Sequence, residues 1–168
     1  MKPGPLHWHR SAHRAQLLAL YAEADALVDG RSCGCSQQGA KDPHEAPCCH
    51  FAITGREPHP TAVEIEEVRH AMRGLSLRPA RPAKLPLADL RSCPLLAADG
   101  RCRVYASRPF GCRTFFCDSA EGPFGPPARI PRARLLDLGR RIAELSARFA
   151  PHDPHPRPLV RAIAGDHR

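Results

Sequence analysis

Two kinds of side chain are scarce in this sequence: aromatic residues and lysine. Aromatics make up 5% of the 168 residues, so aliphatic side chains and alanine must supply most of the core. Lysine occurs only at Lys2, Lys41 and Lys84, and arginine therefore carries most of the formal net charge of +8. The arginines are spread along the chain, whereas a nucleic-acid interface gathers basic residues on one face. We therefore expect no nucleic-acid partner.

Long hydrophobic runs are also missing. No stretch approaches the roughly 18 apolar residues of a membrane-spanning helix. The first ten residues contain prolines and histidines where a secretory signal would have its apolar segment. We therefore expect no membrane partner and a cytoplasmic location. Thiols stay reduced in that compartment, so the eight cysteines favour metal binding or catalysis over disulfides.

Three apolar patterns with helical spacing stand out from irregular, proline-rich sequence. The first lies between Ser11, which is a good capping residue, and Gly30, which is a good terminator. The second follows Thr61, which has a glutamate three positions later and so predicts a capping box. The third follows Pro131 and runs to Phe149. These patterns predict three helices with cysteine-bearing irregular segments between them.

The predicted fold is mostly α with irregular metal-binding loops and a short β-hairpin, a small α+β arrangement with the cysteine cluster between helices. We expect one domain over residues 11–150, whose motif region is 33–117. Residues 1–10 are predicted to be a flexible N-terminal tail. Residues 151–168 are predicted to be a C-terminal tail with one turn of helix at 158–164.

The hairpin is predicted at the Asp99-Gly100 dipeptide, which favours tight turns. A two-residue turn there would pair Cys102 with Ala97. Cys93 would then lie roughly 13 Å from Cys102 along an extended strand, too far for one metal to bind both thiolates. Either the chain bends at Pro94, or the two thiols serve different sites, or the hairpin is irregular. Of these alternatives we expect the bend at Pro94.

The cysteines fall into two irregular segments with four cysteines in each: Cys33, Cys35, Cys48 and Cys49, then Cys93, Cys102, Cys112 and Cys117. Eight cysteines permit four disulfides, and ten histidines leave a reactive Cys–His pair open. Thiolates in such density are typical of zinc sites and iron–sulfur clusters. The absence of any CxxC spacing disfavours a simple zinc finger and leaves a cluster or a polynuclear site open.

Residues 93–117 read CPLLAADGRCRVYASRPFGCRTFFC. This order resembles the signature of the YkgJ family, whose members are cysteine-cluster proteins described as zinc- or iron-chelating domains. The resemblance extends over residues 33–117 and rests on these elements: Cys48-Cys49, Thr54 to Glu57, Cys93-Pro94-Leu95-Leu96, Asp99-Gly100, Cys102-Arg103-Val104-Tyr105, Arg108-Pro109 and Cys112-Arg113. The first half departs from the compact CxxCxxCC of the family, because twelve residues separate Cys35 from Cys48.

The resemblance implies a protein that chelates zinc or holds an iron–sulfur centre. The implied ligands are, first, Cys48, Cys49, Cys93, Cys102 and Cys112, and then Cys33, Cys35 and Cys117. His44 or His50 could substitute for a cysteine in the divergent first half. Arg108 and Arg113 are expected to support the bound group through hydrogen bonds to thiolate sulfur or to loop carbonyls.

Two functional classes stay open at this point. The first is a structural or carrier metalloprotein, which holds its metal for folding or for transfer. The second is a small iron–sulfur enzyme, electron carrier or accessory subunit. No catalytic motif and no glycine-rich cofactor loop is visible, which favours the first class. A protein partner is compatible with both.

Overall fold

The computed structural model describes residues 8–28, 49–77, 92–115 and 131–164. The described chain is mostly helical, in agreement with the predicted mostly-α class. Its α-helices follow in the order α1 Ala12–Leu27, α2 Phe51–Thr54, α3 Ala62–Gly74, α4 Phe110–Thr114, α5 Arg132–Phe149 and α6 Leu159–Ala164, and a 3-10 turn covers Tyr105–Ser107. None of the described helices is both long enough and apolar enough to cross a membrane.

The three long helices form where local sequence predicts them. At the start of α1 the Ser11 hydroxyl oxygen accepts a hydrogen bond from the Arg14 N–H at 3.1 Å, as expected for a capping serine. This helix ends at Leu27, and the predicted terminator Gly30 lies outside the described residues. The capping box predicted at Thr61 opens α3. Pro131 precedes the first residue of α5.

The apolar side chains form two clusters, and α3 contributes to both. The first cluster packs α1 against α5 and includes Val63 of α3. The second packs Val68 and Met72 of α3 against the segment that carries Cys93 and Cys102, and against α6. Burying one such aliphatic side chain contributes about 1.5–3 kcal/mol. The middle helix α3 is therefore the element on which both halves of the core depend.

The described parts of the two predicted tails contribute to the core, and the helical turn predicted at 158–164 is present as α6. Trp8 is only 2% exposed and packs edge-to-face on Phe149 with ring centroids 5.2 Å apart. Leu159 is 1% exposed, and its N–H donates to the Pro58 carbonyl at 3.0 Å. Each segment contributes only a few apolar side chains, yet both are part of the core.

Glu67 of α3 holds the N-terminal segment in place. Its carboxylate accepts hydrogen bonds from the Trp8 indole N–H at 3.0 Å and from the Arg14 Nε at 2.8 Å. It also accepts one from the Ser107 hydroxyl at 2.9 Å. Burial acts to raise the pKa of Glu67, but the hydrogen bonds from Arg14, Trp8 and Ser107 outweigh it and hold that pKa below its usual value.

Substitution of Glu67 tests whether its carboxylate holds the N-terminal segment in place. We expect Glu67→Gln to lower the free energy of unfolding by about 3 kcal/mol, because the buried position loses its charge while Arg14 keeps its own. The matched control is Glu66→Gln, whose carboxylate pairs with Arg73 in an exposed ion pair, where a loss below about 1 kcal/mol is expected. Urea denaturation of both variants measures the difference. Equal losses would show that Glu67 is not an anchor.

His70 lies in a positively charged environment on α3. Its ring centroid is 5.7 Å from that of His9. Burial lowers the pKa of His70, and the charges of Arg14, Arg73 and His9 lower it further, while Glu67 opposes them. The folded protein therefore binds a proton at His70 less readily than the unfolded chain does.

This shift predicts a pH dependence of stability with a definite sign. As the pH falls below the ordinary histidine pKa of about 6.5, the unfolded chain gains a proton that the folded chain resists, so stability falls. His70→Gln should flatten that part of the curve, measured by urea denaturation between about pH 7.5 and pH 5.5. A His70→Gln curve with the wild-type slope in this window would contradict the assignment.

Candidate metal centre

The turn at Asp99-Gly100 is present, and its loop contains three residues instead of two. The Ala97 N–H donates to the Arg101 carbonyl at 2.8 Å, and the Gly100 N–H donates to the Ala97 carbonyl at 3.0 Å. Gly100 has φ +77°, the left-handed conformation that glycine adopts at such a position. The expected pairing of Cys102 with Ala97 is therefore wrong. Cys102 forms an isolated antiparallel bridge with Leu96.

The bend expected at Pro94 is confirmed. The Leu96 N–H donates to the Cys93 carbonyl at 3.0 Å, which closes a turn with Pro94 at its second position, where proline is favoured. Cys93 and Cys102 are both partly buried and both pack against the second core cluster. The separation calculated for an extended strand does not apply, because the turn from Cys93 to Leu96 interrupts that strand.

Cys49 and Cys93 bring the two cysteine-bearing segments together. The Cys93 N–H donates to the Cys49 carbonyl at 2.7 Å, and His50 forms an antiparallel bridge with Ser92. In this register Cys49 stands opposite Cys93. Residues directly opposite in an antiparallel pair have Cβ atoms about 4.5–5.5 Å apart, a separation from which two sulfurs can reach one metal ion.

Arg113 lies next to Cys112 in α4, and its guanidinium is buried. The Arg113 Nε donates to the Arg108 carbonyl at 2.9 Å, and its Nη2 donates to the Ala106 carbonyl. Its Nη1 donates to Asp25 Oδ2 at 2.6 Å. The same guanidinium lies over the Tyr21 ring, 4.0 Å from its centroid. Because its planar guanidinium makes three hydrogen bonds and stacks on a ring, Arg113 fixes the backbone around it.

Arg108 also binds the backbone between Cys102 and Cys112. Its Nη1 donates to the Tyr105 carbonyl at 3.0 Å, and its guanidinium lies 4.0 Å from the centroid of the Tyr105 ring. Its Nη2 lies 3.5 Å from Asp25 Oδ1. Arg108 and Arg113 were predicted to bond either sulfur or loop carbonyls, and each of them has a loop carbonyl as a partner.

Buried acidic residues also hold the chain between Cys102 and Cys112. They were not among the site residues predicted from the sequence. Glu64 Oε1 accepts hydrogen bonds from the Phe110 N–H at 2.7 Å and from the Tyr21 hydroxyl at 3.2 Å. Burial raises the pKa of Tyr21 well above its usual value, and the Glu64 charge raises it further. The available signal was a pair of glutamates, Glu64 and Glu67, on the apolar face of a predicted helix.

Half of the predicted ligand cysteines fall within the described residues: Cys49, Cys93, Cys102 and Cys112. The other predicted site residues, Cys33, Cys35, Cys48, Cys117 and His44, lie outside them. No disulfide joins any two of the four described cysteines. Within residues 8–28, 49–77, 92–115 and 131–164, no three His, Cys, Asp or Glu side chains converge as a metal site. A site with three or more ligands would therefore need residues outside these ranges.

Comparison of the chain with family models, curated proteins and solved structures gave no match. The resemblance to the YkgJ family therefore stays a prediction that rests on the quoted residues.

Gly100 provides a test of the turn that carries Cys102. We expect Gly100→Ala to lower the free energy of unfolding by about 1–2 kcal/mol, because a Cβ is strained at positive φ. The control is Gly74→Ala at the end of α3, where an added Cβ meets no atom within 4 Å, and no loss is expected. Chemical denaturation of the two variants gives the comparison. A neutral Gly100→Ala would contradict the turn geometry.

Proposed function

We propose that this chain is a metal-binding protein of the YkgJ type, which holds zinc or an iron–sulfur centre through its cysteine cluster. The metal serves the fold or is passed to a partner. The proposed ligands are the eight cysteines, with Cys49, Cys93, Cys102 and Cys112 as those within the described residues. Because thiolate ligands must be reduced, the proposal includes a cytoplasmic location.

The observation that best supports the proposal is that Cys49 and Cys93 lie side by side. These residues belong to different cysteine segments and are separated in sequence by α2 and α3. The hydrogen bond from the Cys93 N–H to the Cys49 carbonyl nevertheless sets them side by side. If the cysteines served only as small apolar residues, nothing would favour placing one cysteine from each segment side by side.

The chemistry of the donor set fits these metals. Sulfur ligands select zinc and iron–sulfur clusters over hard cations such as magnesium or calcium. Cys93 and Cys102 pack against the second core cluster, so one side of the site is apolar. An apolar shell limits the access of solvent to the metal and strengthens the electrostatic interactions within it.

The nearby arginines fit a negatively charged cluster. Several thiolates around one metal leave a net negative charge, which favours positive groups close by. Arg113 follows Cys112 directly, and its guanidinium is 3% exposed. Two of its hydrogen bonds go to the backbone between Cys102 and Cys112, so it stabilises the shape of that segment and also offsets negative charge there.

The proposal is tested by metal analysis of protein purified without oxygen. Zinc, iron and acid-labile sulfide are quantified on one sample, and its visible spectrum is recorded. We expect a colourless protein with bound zinc, or a brown protein with matched iron and sulfide. A protein that contains neither metal and takes up neither on reconstitution would contradict the proposal.

Cys93→Ser then tests the site itself. A serine oxygen is a poor substitute for a thiolate on these metals, so we expect metal affinity to fall by at least about tenfold. The matched control is Ser92→Ala, one residue earlier in the same bridge to His50, which should keep its metal. Retention of metal by Cys93→Ser at the wild-type level would remove Cys93 from the ligand set.

A further inference from the structure

We propose that Asp25 is a positioning residue for the cysteine site, although it lies on α1 and outside both cysteine segments. It acts by fixing the two arginines that hold the backbone between Cys102 and Cys112. This inference rests on the proposed function, since it concerns how the same cysteines are presented to their metal.

The geometry begins with one carboxylate shared by two guanidinium groups. Asp25 Oδ2 accepts from Arg113 Nη1 at 2.6 Å, and Asp25 Oδ1 lies 3.5 Å from Arg108 Nη2. Within the described residues, Asp25 is the acidic side chain that pairs with either of these arginines. Arg113 is buried, so removal of its counter-charge would leave a desolvated cation with carbonyl and aromatic partners alone.

The two arginines in turn determine the course of residues 105–108. Their guanidinium groups bond three carbonyls of this stretch, those of Tyr105, Ala106 and Arg108. Cys102 lies three residues before the stretch and Cys112 lies four residues after it. A change in how Arg113 is held therefore changes the relative placement of two proposed ligands.

The place of Asp25 in the chain adds a second link. It lies in the last turn of α1, which ends at Leu27. The first cysteine segment begins at Cys33, eight residues after Asp25. The ion pair with Arg113 therefore attaches the last turn of α1 to α4, the helix that carries Cys112.

The same helix supplies a matched control. Glu23 also pairs with an arginine, Arg141, with both oxygens bonded at 2.7 and 2.8 Å. Glu23 and Asp25 are about equally exposed, at 45% and 44%. Their partners differ, because Arg141 is 40% exposed and belongs to α5, while Arg113 is buried beside Cys112. Neutralising either acid changes the charge of α1 equally.

The experiment compares Asp25→Asn with Glu23→Gln in metal-free, reduced protein. Each variant is titrated with Zn²⁺ in competition with a chromophoric chelator, and circular dichroism and the unfolding midpoint are recorded on the same samples. We expect Asp25→Asn to lose about tenfold or more in Zn²⁺ affinity, the size of effect seen when supporting groups around metal ligands are removed. Glu23→Gln should bind Zn²⁺ as the wild type does, and both variants should keep the wild-type helical signal.

A third variant tests whether the effect passes through Arg113. Arg113→Lys keeps the charge but removes the planar fork, so it should weaken Zn²⁺ binding by itself. If Asp25 acts through Arg113, adding Asp25→Asn to Arg113→Lys should cost much less affinity than Asp25→Asn costs in the wild type. Fully additive losses would contradict this route.

The remaining outcomes separate this inference from the proposed function. If the wild type binds Zn²⁺ and Asp25→Asn binds it as tightly as Glu23→Gln does, the inference is overturned and the proposed function stands, even if Asp25→Asn unfolds more easily. If the wild type itself binds no Zn²⁺ and contains no iron, the proposed function fails and the inference fails with it.

Discussion

Glu64 and Glu67 bring two carboxylates into an apolar interior, where an ionised group without partners would cost several kcal/mol. Both lie on α3, one turn apart, and both are almost fully buried. Their partners come from the N-terminal segment, from α1 and from the chain between Cys102 and Cys112. The requirement that these carboxylates be satisfied therefore fixes three parts of the chain around one helix. These carboxylates hold Ser107 and Phe110, so they place residues 105–110 together with the guanidinium groups of Arg108 and Arg113.

The described cysteines lie in two different environments. Cys93 and Cys102 lie against the second core cluster, where a turn at Pro94 brings them to the same side. Cys112 lies in α4 beside Arg113, whose contacts are with backbone carbonyls, Tyr21 and Asp25. Hydrogen bonds and ion pairs would therefore hold the chain between Cys102 and Cys112 in shape before a metal binds. Such preorganisation reduces the ordering that ligand binding must otherwise achieve.

The parts of this structure that depend on neighbouring residues could be predicted from the sequence. The caps at Ser11 and Thr61 and the apolar stripes that follow them give the long helices, because a helix forms from contacts three and four residues apart. The bend at Pro94 follows from local chemistry in the same way. The burial of Trp8, the role of Asp25 and the partners of Glu64 could not be predicted, since each contact joins residues far apart in the chain. The three-residue turn at Gly100 was missed because one extra loop residue changes the register without changing the composition.

The central claim is that sulfur from this chain holds the metal, and X-ray absorption at the metal edge tests it most directly. The account predicts a coordination shell dominated by sulfur at about 2.3 Å, whether the metal is zinc or the iron of a cluster. A shell made only of nitrogen and oxygen at about 2.0–2.2 Å would contradict it, because the metal would then be bound by the histidines or carboxylates instead.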